Sequence, residues 1–171
     1  MPMTDDAKRP RTFVVLVEDV PGVLDRVASL FRRRAYNIES LSVGHTDREG
    51  VSHITVVIDA DDRTAALVEA NLYKVATVLE VRDVSNLPSV VRDLALIKVR
   101  ADHKNRASIL QVAEVFRARV VDVSPEALIF EITGSEDKIN SLVDVLRPFG
   151  ILELARTGVV AMARATESVT A

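Results

Sequence analysis

The chain is 171 residues long, 48% apolar and 27% charged, with a net charge of −3 and no cysteine. That is the composition of an ordinary globular protein of one domain or two small ones. It excludes disulfides and thiol chemistry, offers no broad basic surface for nucleic acid, and contains no apolar run approaching a membrane span.

Residues 1–11 are polar, carry two prolines and lack the apolar core of a secretion signal, so a mobile tail and a cytoplasmic location are expected. Thr12 to Glu18 predicts a strand, and its unbroken apolar stretch from Phe13 to Val17 suits a central place in a sheet. Glu18-Asp19-Val20-Pro21-Gly22 then leads into a helix over Pro21 to Ala35. Val23, Leu24, Val27, Ala28, Leu30 and Phe31 recur at the three-and-four spacing of one buried helix face. Pro21 suits a first helical turn, where a missing N–H costs nothing, and Gly22 removes bulk at the same spot. A bare helix start presents N–H groups and the positive dipole end to a small anion. Asp19 can hold a cation beside it, a combination suited to an α-amino acid, or it can simply cap the helix.

Ile38, Leu41 and Val43 open a strand that runs to Thr46. Asp47-Arg48-Glu49-Gly50 reads as a hairpin turn, and Ile54, Val56 and Ile58 alternate along the strand after it. Asp61 or Asp62 caps a helix reaching Tyr73, with Ala65, Val68 and Leu72 on one face. Val78 to Val84 is a strand and completes a βαββαβ order. Ser85-Asn86-Leu87-Pro88-Ser89 interrupts the pattern, and residues 86–93 are expected to link two domains. The order then repeats with a strand over Leu94 to Ala101 and a helix over Ala107 to Ala118. Strands over Arg119 to Ser124 and Leu128 to Thr133 follow. A helix capped by Ser135 carries Ile139, Leu142, Val143 and Leu146, and Ile151 to Arg156 is the closing strand. Val159 to Ala163 adds a short one.

Two consecutive βαββαβ units predict an α+β protein of two tandem ferredoxin-like sandwiches, residues 12–85 and 94–164, with a second tail at 165–171. Each sandwich leaves one sheet face without helices, and its second strand lies at a sheet edge. Pairing between chains, as a homodimer, is expected on those grounds.

No Cys–His pair, G-x-S-x-G elbow, H-E-x-x-H helix or phosphate-binding loop occurs. His45, His53 and His103 lack metal-ligand spacing, although His45 and His53 can face each other across the hairpin. Arg32-Arg33-Arg34 closes the first helix, where the dipole favours cations. Asp59, Asp61 and Asp62 read as a strand end and a helix cap. Aromatic residues are 4% of the chain and form no cluster for stacking RNA bases. No catalytic, metal or cofactor site is expected in this chain, and no membrane or nucleic-acid partner.

Val17-Glu18-Asp19, Pro21-Gly22-Val23-Leu24, Arg26-Val27, Leu30-Phe31, Arg33-Arg34 and Asn37-Ile38-Glu39-Ser40-Leu41 closely resemble the regulatory (small) subunit of acetolactate synthase. So do Leu94-Ala95-Leu96-Ile97-Lys98-Val99, Phe116-Arg117-Ala118, Val121-Asp122-Val123-Ser124-Pro125 and Gly158-Val159-Val160. The resemblance covers nearly the whole chain. It implies that the first unit is an ACT domain, a ligand-sensing form of the sandwich, and that the second is ACT-like. It also implies a non-catalytic partner of a large catalytic subunit that carries thiamine diphosphate, Mg²⁺ and often FAD. The small subunit would raise the activity of that enzyme and confer feedback inhibition by valine or another branched-chain amino acid. In the family the effector sits between two ACT domains. Asp19, Val20, Pro21, Gly22, Val23 and Leu24 of one chain would meet Asn37 and Ile38 of the other. Three positions bear on the family pattern: Asp19 stands where the family has Asn or Asp, which keeps the polar role while the charge differs between members, His53 stands where many members have arginine, and Ala35 where glycine is common. The alternative is a free-standing amino-acid sensor acting on a different partner.

Overall fold

The computed structural model describes residues 7–165, so the outer parts of both expected tails lie outside the described residues. The chain divides into a first unit of residues 7–90 with 159–165, and a second unit, Val91–Gly158.

In the first unit β1 (Arg9–Glu18), β2 (Ile38–His45), β3 (Val51–Ala60) and β4 (Val78–Asp83) form an antiparallel sheet in the order β2-β3-β1-β4. Helices α1 (Val23–Arg33) and α2 (Asp62–Leu72) cover one face. This is the ferredoxin-like order, with β2 at an edge. Phe13, Val15 and Val17 of β1 and Ile54, Val56 and Ile58 of β3 alternate toward Val27, Leu30, Phe31, Val68 and Leu72 of the helices. Burying each of the larger side chains contributes about 1.5–3 kcal/mol. Asp61 caps α2 by accepting from the Thr64 N–H at 2.6 Å, which holds its carboxyl below the usual carboxylate range.

Strand β1 begins at Arg9, inside the expected tail. Arg9, Pro10 and Arg11 pair in register with Ala60, Asp59 and Ile58. Arg11 is buried, and Asp62 and Asp83 neutralise it. Two carboxylates distant in sequence thus keep a cation inside the fold that would otherwise leave it.

The start of α1 also differs from expectation. Gly22 has φ 82° and ψ 3°, and the Val23 N–H donates to the Val20 carbonyl at 3.2 Å. Val20 to Val23 is therefore a type II turn with Pro21 and Gly22 at its central positions, where Gly takes the positive φ. Pro21 lies outside the helix. Leu24, placed by spacing on the buried face, is 40% exposed.

At its other end α1 closes in a Schellman motif. The Ala35 N–H donates to the Arg32 carbonyl at 3.1 Å, and the Tyr36 N–H to the Phe31 carbonyl at 3.0 Å. The Tyr36 and Phe31 rings pack edge to face at 6.4 Å, the apolar contact this motif carries. Ala35 itself sits at φ 54°, left-handed space that disfavours a Cβ. Ala35→Gly is expected to stabilise the first unit by about 0.5–1 kcal/mol, relief of strain exceeding the entropy added to the unfolded chain. Chemical denaturation should show the gain as a higher midpoint at unchanged slope. A lower midpoint would contradict the strain.

The second unit repeats the order. Strands β5 (Ser89–Arg100), β6 (Arg119–Val123), β7 (Ala127–Gly134) and β8 (Ile151–Arg156) run β6-β7-β5-β8, with α3 (Arg106–Val115) and α4 (Glu136–Leu146). Ile97, Val99, Phe130, Ile139, Leu142 and Leu146 are among its core residues. Helix α3 ends in the same motif as α1, with Arg117 at φ 56°. Strand β5 already runs from Ser89, so part of the expected linker is sheet. Asp93 is buried there because Arg156 donates to its Oδ2 from Nε at 3.0 Å and from Nη2 at 2.5 Å. A short last strand, β9 (Val160–Ala163), pairs with β5 and groups with the first unit, which also holds the first residues of β5, Ser89 and Val90.

Candidate functional site

The loop Asp19–Leu24 is fixed at both shoulders by backbone bonds. The Glu18 N–H donates to the Thr77 carbonyl at 2.9 Å, and the Asp19 N–H to the Gly50 carbonyl at 2.8 Å. Between these anchors and α1 the type II turn turns the chain tightly and leaves the helix start without a side-chain cap. Apart from the Val23 N–H, which the turn already uses, the first-turn N–H groups keep the dipole's positive end open to an anion. Val20 is 38% exposed and Leu24 40%, so apolar surface stands beside those donors. Asp19 is exposed, does not cap the helix, and lies 3.3 Å from Nδ1 of His45 on the neighbouring edge strand. His45 is a neighbour of the loop that spacing in the sequence did not reveal; only the pairing of β2 with β3 brings it there. Across that pairing His45 faces Ser52 and His53 faces Gly44, so the two histidines are not opposite each other.

Asn37 and Ile38 lie beyond the far end of α1, and eleven residues of helix separate them from Gly22. At about 1.5 Å per residue that is about 16 Å. Within one chain the two groups of expected site residues do not meet. Asn37 donates from Nδ2 to Glu39 Oε1, and Ile38 is half-buried against the core at the start of the edge strand. The β2–β3 register slips between Ile38 and Ser40, which makes Glu39 the extra residue of a bulge.

A separate groove of about 780 Å³ lies on the helix-free face of this sheet, where Val14, Leu16, His53 and Met162 contribute to its walls. It reaches the loop only through His45 and shares none of the expected ligand residues. Burial pushes the His53 imidazole below its ordinary pKa, against a smaller opposing effect from hydrogen bonding to the Ala161 backbone. Among the described residues no three His, Asp or Glu side chains converge as metal ligands, and no helix is long and apolar enough to cross a membrane.

Comparison with known proteins agrees on both halves. The family described as "AHAS small subunit-like ACT domain" matches residues 13–80, and "Small subunit of acetolactate synthase" matches residues 92–165. A probable acetolactate synthase small subunit of Archaeoglobus fulgidus is 48% identical over 153 residues, covering 90% of this chain and 96% of its own. The acetolactate synthase small subunit of Mycobacterium bovis is 46% identical over 156 residues, covering 91% and 93%. The crystal structure of the acetolactate synthase small subunit from Thermotoga maritima superposes with a TM-score of 0.86 at 40% identity, over 91% of this chain and 98% of that one. These matches span both units at identities far above those at which a fold alone is shared. The chain belongs to the acetolactate synthase small-subunit family, with an ACT domain as its first unit.

Proposed function

We propose that this chain is a regulatory subunit which docks on a large acetolactate synthase subunit in the cytoplasm, raises its activity and makes it sensitive to a branched-chain amino acid. Thiamine diphosphate, Mg²⁺ and FAD would belong to that large subunit. One observation carries the effector reading: the uncapped helix start at Gly22 and the pair Asn37–Ile38 stand at opposite ends of α1. A site using both needs two chains. Strand β2 supplies the means, being an edge with a free row of backbone groups for a second copy. Across such a pair, helix-start N–H groups take the effector carboxylate. Asp19 or Asn37 takes the ammonium, and Val20, Leu24 and Ile38 take the branched side chain.

The decisive experiment is acetolactate formation by the large subunit with and without this chain, titrated with valine, leucine and isoleucine. Stimulation by the chain, reversed by at least one of these amino acids, is the expected result. No stimulation and no stable complex would favour a sensor acting on another partner. A shared site also predicts that the effector tightens the dimer. Effector at 100 times its Kd adds about 2.7 kcal/mol for each site, about a hundredfold in the dimer constant. Sedimentation of the free chain at low concentration would read this. Unchanged association despite measured binding would place the site within one chain.

A further inference from the structure

Residues 159–163 cross the helix-free face of the first sheet; β9 within them pairs with β5 along one side, and two side-chain hydroxyls of the first sheet tie them from beneath. The Val159 N–H donates to Ser40 Oγ on β2 at 2.8 Å, and the Ala161 N–H to Thr55 Oγ1 on β3 at 3.4 Å. Thr55 is 0% exposed and Ala161 1%, whereas Val160 and Met162 are exposed along the groove. The segment that carries β9 is thus tied to the sheet beneath it by alternate residues, Val159 and Ala161. Beyond it the Arg164 N–H donates to the Pro88 carbonyl at 2.9 Å. None of these hydroxyls belongs to the effector loop.

Ser40 nevertheless stands two residues beyond Ile38, with only the bulge residue Glu39 between them. An extra, unpaired residue makes this the part of the edge strand where the ladder is locally disrupted. A ligand that draws Asn37 and Ile38 toward a partner therefore moves the bulge first, and Ser40 is the next residue held by the sheet. Its hydroxyl is also a tie to Val159. The seat is polar and directional, so a small shift of Ser40 makes or breaks a hydrogen bond, which a greasy contact would absorb.

We infer that residues 159–163 are a latch, and that Ser40 and Thr55 are positioning residues coupling its seating to effector occupancy at Asn37 and Ile38. The inference rests on the effector-binding reading above. Effector orders β2 and seats the latch; an unseated latch weakens effector binding by the same factor, since coupling between two sites is reciprocal.

Amide exchange of the full chain followed by NMR, with and without saturating valine, tests this beside calorimetric titration of the same samples. In the unaltered protein, valine should slow exchange at Val159 and Ala161 by about fivefold or more, the lower end of usual coupling. Ser40→Ala and the near-isosteric Thr55→Val should exchange fast at those amides with or without valine. Both variants should bind valine more weakly by that same factor, while Ile97 and Phe130 in the second unit stay protected. Valine binding with no change at 159–163 would overturn the latch and leave the effector site standing. So would variants that bind valine as the parent does; Ser40 is only partly buried, so Ser40→Ala keeps the test sound if Thr55→Val misfolds. No heat with valine, leucine or isoleucine would remove the effector reading, and the latch with it.

Discussion

Gly22→Asp is expected to yield a subunit that folds and stimulates the large subunit but no longer responds to valine. The backbone at Gly22 is left-handed, so any L side chain there carries a cost of about 1–2 kcal/mol, and Asp, which visits this region more readily than most, falls at the low end. A new Cβ meets no atom within 4 Å, so crowding adds nothing. Ligand binding bears the larger loss. The added carboxylate stands at the helix start where the effector carboxylate must approach. Two unit charges about 4 Å apart at an effective dielectric of about 20 repel by about 4 kcal/mol, and water at this open loop reduces that. A residual of about 1.4 kcal/mol already weakens binding tenfold. Gly22→Ala separates the causes, since it brings the strain without the charge and should keep most of the affinity. Calorimetry and valine inhibition curves for both variants are the measurements. Inhibition of the Gly22→Asp enzyme at the parent's valine concentration would remove Gly22 from the site.

Arg156→Ala should be the most damaging surface-to-core change in the second unit. Asp93 is buried and receives both Arg156 donors, with the Thr157 hydroxyl as its third at 2.9 Å. Arg156 also donates to Asn140 Oδ1 at 2.8 Å, tying β8 to α4. Without the guanidinium a carboxylate stays inside with one neutral donor, a loss of about 3–5 kcal/mol. With a urea slope of about 2 kcal/mol per M, the midpoint of this unit falls by roughly 1.5–2.5 M. Replacing both partners with apolar residues, Arg156→Met with Asp93→Leu, should recover most of the loss, because the cost is that of an unpaired buried charge. A single variant within about 1 kcal/mol of the parent would mean that water reaches Asp93.

The elements that were legible in the sequence are those whose signal is local. The stripe Ile139, Leu142, Val143 and Leu146 is buried as its spacing requires, and Ser135 caps that helix by accepting from the Lys138 N–H. What was illegible depends on partners far along the chain. Arg9 to Arg11 look like tail until β3 offers its register and Asp62 and Asp83 their charge. Asp93 looks like linker until Arg156 arrives from β8. Leu24 fits the buried stripe by spacing, but in the first turn it is Val23 that is buried and Leu24 that is exposed. Pro21 and Gly22 are as compatible with a helix start as with a type II turn, and only the angles at Gly22 separate the two. For the site, spacing and resemblance together named the loop and Asn37–Ile38. The distance between them along α1, His45 beside Asp19, and the hydroxyl seats of Ser40 and Thr55 required the fold.

The grouping of residues 159–165 with the first unit bears on how the molecule is made. Translation delivers β1 to β4 first, then the whole second unit, and only afterwards the segment that covers Thr55 and Ser40. At about 5–20 residues per second, that interval lasts roughly 3–14 s. For that long the nascent ACT sheet has one face bare and one edge, β2, unclaimed. A neighbouring chain emerging on the same messenger could pair with that edge before the covering segment exists. Assembly order is then written into chain order: dimer contacts along β2 can form during synthesis, while the cover over the sheet is always added last.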